Sequence, residues 1–151
     1  MKKNIYEHDI PKLVILELKD EFINKINSTK KVTLNKKIIV IGEDDEYYYF
    51  LDVKTSDVID NSSLKIERLF DKNGLLNEYI DIDCLFRIKT QNLADNLELD
   101  EQNDFINYPL GQISEINILK RLIESLNKEN NRYPKLINLI KNSKPTIGLT
   151  A

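Results

Sequence analysis

A chain of 151 residues, 41% hydrophobic and 31% charged, is long enough for one core, and no apolar run approaches the ~20 residues a membrane-spanning helix needs. Its 22 Lys and Arg against 25 Asp and Glu give a net charge of −3, which excludes a surface coated in basic residues for nonspecific DNA binding but leaves room for a local basic groove. The single cysteine, Cys84, permits no internal disulfide, and the opening MKKNIYEHDIPK has no apolar segment of the secretory type, so a reducing cytoplasm is the expected location.

Taken in chain order, KLVILEL at residues 12–18 is apolar with β-branched residues at its centre and reads as a strand. KDEFINKINS then places Phe22, Ile23 and Ile26 at helical spacing, with Asp20 as a cap. The alternative is one helix over residues 12–27 opened by Pro11; strand then short helix is the preferred reading. A basic loop follows, with Lys30, Lys31, Lys36 and Lys37 close together. KIIVIGE and EYYYFLDV read as a hairpin whose turn holds Gly42 and the run Glu43, Asp44, Asp45, Glu46, a charged tip that resists edge-to-edge pairing.

SLKIERLF alternates, with Leu64, Ile66 and Leu69 on one side and Lys65, Glu67 and Arg68 mostly on the other. Asn73-Gly74 signals a turn. EYIDIDCLFRI reads as one half-buried strand with Ile80, Ile82 and Cys84 on the inner face and Asp81 and Asp83 outside. The Asn/Asp-rich stretch after it reads as a surface connection with at most one helical turn. GQISEINILKRLIESLNKEN is the clearest helix, capped by Ser114, with a core-facing stripe of Ile116, Leu119, Leu122, Ile123 and Leu126. YPKLINLIKN reads as a second helix after Pro134.

The expected architecture is therefore α+β: one domain over residues 1–151, a small, strongly bent antiparallel barrel at 12–93, a connection at 94–112, C-terminal helices at 113–142 and a loose tail at 143–151. The early helix and the C-terminal helices pack on the barrel.

Several chemistries are ruled out by what the chain lacks. His8 is the only histidine, which leaves neither a Cys/His zinc set nor a base for a serine triad. The four glycines, Gly42, Gly74, Gly111 and Gly148, are isolated, so no glycine-rich phosphate loop exists. The acidic hairpin tip reads as a solvated turn rather than a cation site. No cofactor is expected. Of the adjacent rings Tyr47, Tyr48 and Tyr49, alternation puts Tyr48 on one face and the other two on the opposite one; aromatic packing is the preferred reading, with Tyr48 as the candidate if a ring stacks on a base.

One stretch carries chemistry, NKKIIVIGEDDEYYYFLDVKTSD at residues 35–57. Antiparallel pairing brings Lys36 and Lys37 to the same end of the hairpin as Lys54, Thr55 and Ser56, with the acidic turn at the opposite end. Cations, two hydroxyls and backbone N–H groups around one phosphate are what metal-free RNA cleavage by the substrate's own 2′-OH requires.

The layout of this stretch resembles the MazF/PemK-fold toxins and, among them, the type III toxin–antitoxin endoribonucleases of the ToxN/AbiQ kind. KLVILELKDEFINKIN resembles their opening strand and helix, NGLLNEYIDIDCLFRI a later barrel strand, and LGQISEINILKRLIESL their C-terminal helix. The resemblance covers most of residues 12–126. It implies an SH3-like barrel and a bacterial or mobile-element toxin whose partners are RNA and a cognate RNA or protein antitoxin, with homodimers or larger assemblies. It implies catalytic roles for Thr55, Ser56 and either Lys36 or Lys37; beside these, the basic loop and hairpin offer Lys30, Lys31, Lys54 and Tyr48 as candidate substrate contacts. Asp57-Val58 stands where that family has proline and lysine, and Cys84 where MazF-type strands carry glutamine. A noncatalytic RNA- or protein-binding module on the same barrel is the alternative.

Overall fold

The apolar runs at the centre of the chain have no polar alternation because both of their faces are covered. In the computed structural model, which describes residues 10–29, 32–55, 63–71, 77–126 and 135–139, β1 (Val14–Glu17) leads to α1 (Asp20–Asn27) and the hairpin of β2 (Lys37–Glu43) and β3 (Tyr47–Lys54). After these come β4 (Ser63–Ile66), β5 (Glu78–Asp81), β6 (Cys84–Lys89), α2 (Thr90–Leu93), a 3-10 turn (Ala94–Asn96), β7 (Asn107–Pro109), α3 (Gln112–Leu126) and β8 (Lys135–Asn138). Ile38, Val40 and Phe50 enter one core with Phe22 and Ile26 of α1 and Leu93 of α2. Ile39, Leu51 and Val53, one residue out of step, enter a second core with Ile66, Ile80 and Ile118. A strand buried on both faces reads as an unbroken apolar run.

The result is the expected α+β class, with a strongly curled antiparallel sheet in the order β4-β5-β3-β2-β1-β7. Ile41 is the extra residue of a β-bulge where the β2–β3 register shifts between Val40 and Gly42, and such bulges increase local twist. The curl brings the chain after β4 onto the chain after β7. Leu69 N–H donates to the Pro109 carbonyl at 2.8 Å, Gly111 N–H donates to the Glu67 carbonyl at 2.9 Å, and Arg68 and Leu110 form an antiparallel bridge.

EYIDIDCLFRI is two strands rather than one. β5 and β6 both run antiparallel to β3 along the same edge, β5 opposite Val53 and Lys54 and β6 opposite residues 47–50, with a turn at Ile82 and Asp83 between them. The turn switches faces. Ile80 and Ile82 belong to the inner core, whereas Cys84, half-buried, and the residues Phe86 and Ile88 belong with the α1 side. Leu69, expected to face inward, is 55% exposed because the chain leaves β4 to pair with Pro109.

Three further expectations are corrected in the C-terminal half. The connection contains β7, an edge strand on β1, so the sheet extends beyond residue 93. The segment after Pro134 is a strand, since β8 pairs in parallel with β6 and Leu139 N–H donates to the Arg87 carbonyl at 2.8 Å. Its four-residue LIN-type run is too short for periodicity to separate helix from strand, and the open edge of β6 decides the matter. Ser114 lies inside the first turn of α3 rather than capping it, and its buried Oγ accepts the Glu67 N–H at 2.9 Å. Likewise Asp20 is the first residue of α1, after the N-cap Lys19; a carboxylate there favours the helix dipole.

Only part of the expected stripe of α3 faces the core: Leu122 does, whereas Ile116, Leu119 and Ile123 do not. Ser114, Ile118, Leu122 and Ser125 are buried against the inner core, while Ile113, Ile116, Leu119 and Ile123 are exposed. Ile118→Ala should therefore cost about 2–5 kcal/mol in urea unfolding, and Ile116→Ala no more than ~0.5 kcal/mol. Equal losses would contradict this orientation. Among the described residues no helix is long and apolar enough to cross a membrane.

Candidate functional site

The open end of the β2–β3 hairpin is fixed by side chains from two elements, α1 and β3. Asn27, in the last turn of α1, accepts the Leu34 N–H at 2.8 Å and donates its amide to the Leu34 carbonyl at 3.1 Å. Asp52 of β3 does the same for the next residue: its Oδ1 accepts the Asn35 N–H and its Oδ2 accepts the Asn35 amide, both at 2.9 Å. The chain entering β2 is thus held on both sides before Lys37 pairs with Val53.

At this end an open groove of about 400 Å³ is lined by Asn35, Lys36, Lys37, Val53, Lys54 and Thr55. Four of the eight residues expected at the site are together here: Lys36, Lys37, Lys54 and Thr55. Ser56, Lys30 and Lys31 lie outside the described residues, as do His8, Asp57, Val58, Asn73, Gly74 and residues 143–151. Tyr48 lies at the other end of the hairpin, opposite Glu43, and is only 8% exposed in the core on the α1 side, so its ring is not open for stacking on a base. Packing explains why: Tyr48, Phe50 and Asp52 alternate onto a single buried face, and the Lys12 ammonium lies 6.0 Å from the Tyr48 ring.

The two lysines are not equivalent. The Lys36 ammonium donates to the Leu18 carbonyl and to Asp20, both at 3.1 Å, and to Glu98 at 3.3 Å. Desolvation alone would lower its pKa, but the hydrogen bonds and charges of Asp20 and Glu98 outweigh that and raise it above the ordinary lysine value. Its charge is already matched. Lys37 is half-exposed, and among the described residues its ammonium has no hydrogen-bond or ion-pair partner. Of the two strand-start lysines, Lys37 is therefore the one available to a ligand in the groove, with the exposed Lys54 and Thr55 opposite.

At the acidic tip the carboxylates serve the turn. Asp44 Oδ1 accepts the N–H groups of Glu46 and Tyr47, and its Oδ2 accepts the Tyr49 hydroxyl at 2.6 Å. Glu43 pairs with Lys12 at 2.9 Å.

Behind Lys54 lies a second, more enclosed cavity of about 210 Å³, whose walls include Asp52, Cys84, Phe86 and Ile137. Asp52 is 5% exposed, and burial pushes its carboxyl up to about 6 despite the opposing effects of the Asn35 hydrogen bonds and the nearby Lys54 charge. Sequence reasoning passed over it. The signal was present in YYYFLDVK, where a carboxylate shares the buried register of Tyr48 and Phe50. An acid held above its unfolded value of 3.8 adds stability that is complete below that pH and is lost as pH rises through about 6. The contribution is on the order of 3 kcal/mol. Asp52→Asn should remove this dependence, so the variant gains on wild type in unfolding midpoint between pH 4 and pH 7; parallel profiles would contradict the assignment.

A comparison of the sequence with protein-family models and with curated proteins finds no match.

Proposed function

We propose that the protein is a metal-independent endoribonuclease of the toxin type, acting in a bacterial cytoplasm. The observation that supports this most directly is the groove at the open end of the hairpin, where Lys37, Lys54 and Thr55 converge and the acidic turn is held at the far end. The 2′-hydroxyl loses its proton to water as its oxygen attacks the adjacent phosphorus, the P–O5′ bond breaks, and the departing 5′-oxygen takes a proton from water. The products are a 2′,3′-cyclic phosphate and a 5′-OH. Lys37 stabilises the charge that builds on the phosphoryl oxygens, Thr55 and Ser56 orient the phosphate, and Lys54 provides a second cationic contact. A cognate antitoxin would restrain the enzyme by occupying the same groove.

The test is tightly controlled expression of wild type and Thr55→Ala in a bacterial host, with total RNA mapped for new 5′-OH ends. Growth arrest with new ends in wild type alone is the expected result. Soluble, folded protein that causes neither would overturn the enzymatic reading.

The matched charge of Lys36 favours a second reading, because it leaves the groove fewer free cations than the sequence advertises. On that reading the protein holds RNA without cutting it. Binding would then weaken steeply with salt, and no cleaved ends would form.

A further inference from the structure

We infer that the cavity behind Lys54 is a subsite for one guanine base next to the scissile phosphate, read by Asp52. This rests on the reading of the groove as an RNA phosphate site. Lys54 lines both spaces, so a base in the cavity and a phosphate in the groove fall on neighbouring parts of one nucleotide chain. At about 210 Å³ the cavity is below the roughly 300–1,000 Å³ typical of drug-sized ligands and suits a single ring system. Phe86, Val32 and Ile137 give it apolar walls, and Asp52, Lys54, Thr33 and Asp81, one of whose oxygens already accepts the Asp83 N–H, give it a polar side. An extruded base is bound in this way, flat faces against apolar groups and its pairing edge against hydrogen-bonding ones.

Of these polar groups, Asp52 and Lys54 select the base. An ionised carboxylate has about four acceptor sites. Asn35 takes one on each oxygen of Asp52, which leaves one on each for a ligand. Guanine alone among the four bases presents two adjacent donors, N1–H and the N2 amino group, with the O6 acceptor beside them for the Lys54 ammonium. Adenine and cytosine would set a ring-nitrogen lone pair against the carboxylate, and uracil offers one N–H between two carbonyls.

The probe is a set of 2′-O-methylated uridine heptamers, resistant to 2′-OH cleavage, whose central residue is guanosine, inosine, adenosine, cytidine or uridine. Affinity is read by fluorescence anisotropy. Wild type should bind the guanosine probe about 10- to 100-fold more tightly than the all-uridine probe, inosine should lose most of that gain, and Asp52→Asn should bind the guanosine probe no more tightly than the same variant binds the all-uridine probe. Ile137→Phe, which fills the cavity, should do likewise and provides an independent check if Asp52→Asn fails to fold by circular dichroism. Equal binding of all five probes, salt-dependent and weakened by Lys37→Ala, would overturn the guanine subsite and leave the groove's RNA role standing. No binding of any probe would overturn both.

Discussion

Lys37→Ala should lower the rate of RNA cleavage by about 10²- to 10³-fold while leaving the unfolding midpoint close to wild type. The rate effect follows from removing, at the start of β2, a groove cation whose charge, unlike that of Lys36, is not already matched by carboxylates. The stability effect is small because the ammonium makes no contact among the described residues that the fold depends on. Lys36→Ala should behave in the opposite manner. It leaves Asp20, Glu98 and the Leu18 carbonyl without their shared donor, at a cost of about 1 kcal/mol or less for so exposed a pair of carboxylates, and it should affect cleavage only through that loosening. Initial rates on a labelled oligonucleotide, paired with thermal melts, separate the two. A Lys37→Ala protein that cuts at the wild-type rate would remove Lys37 from the mechanism.

Arg68→Ala should be among the most destabilising single substitutions in the protein, costing about 3–5 kcal/mol. Arg68 Nε and Nη2 donate to the two oxygens of Glu78 at 2.9 and 2.8 Å, and the Glu78 side chain is only 3% exposed. Deleting the guanidinium leaves that carboxylate buried without its counter-charge. The same guanidinium lies 4.2 Å from the ring centroid of Tyr108, whose hydroxyl donates to Glu17 at 2.9 Å. The cluster therefore joins β5, the extension of β4, β7 and β1. Replacing both members by apolar residues of similar size, as in Arg68→Met with Glu78→Leu, should recover most of the loss. Urea unfolding measures both, and a loss below ~1 kcal/mol for Arg68→Ala would show that the pair does not bear on closure.

These two outcomes concern residues of very different visibility in the sequence. The hairpin was legible because its two runs, its turn and its basic flank are contiguous, and local pairing fixes which residues meet. That reasoning brought Lys37, Lys54 and Thr55 to one groove. It could not separate Lys36 from Lys37, because the partners that decide between them, Asp20 and Glu98, lie far from both in sequence. Arg68 read as a solvent-facing charge for the same reason: Glu78 meets it across strands, while Tyr108 comes from β7, an edge strand of three residues with no periodic signature. On α3, Ile116, Leu119 and Ile123 form a convincing stripe, yet the buried face carries Ser114 and Ser125, which hydrogen-bond across the helix packing and so tolerate burial. Hydrophobicity alone placed Leu122 correctly but Ile116, Leu119 and Ile123 on the wrong side.

The ring of strands also dictates an order of assembly. β2 and β3 are joined by a short turn, so their pairing needs almost no loop closure, whereas β1–β7 pairing and the Arg68–Leu110 bridge join distant parts of the chain. The hairpin that carries the groove is therefore expected to form early, and ring closure late. Substitutions in the hairpin core, such as Val40→Ala, act mainly on the folding rate, while loss of Arg68 acts mainly on the unfolding rate. The lifetime of the native state is thus set at the seam of the ring, away from the groove.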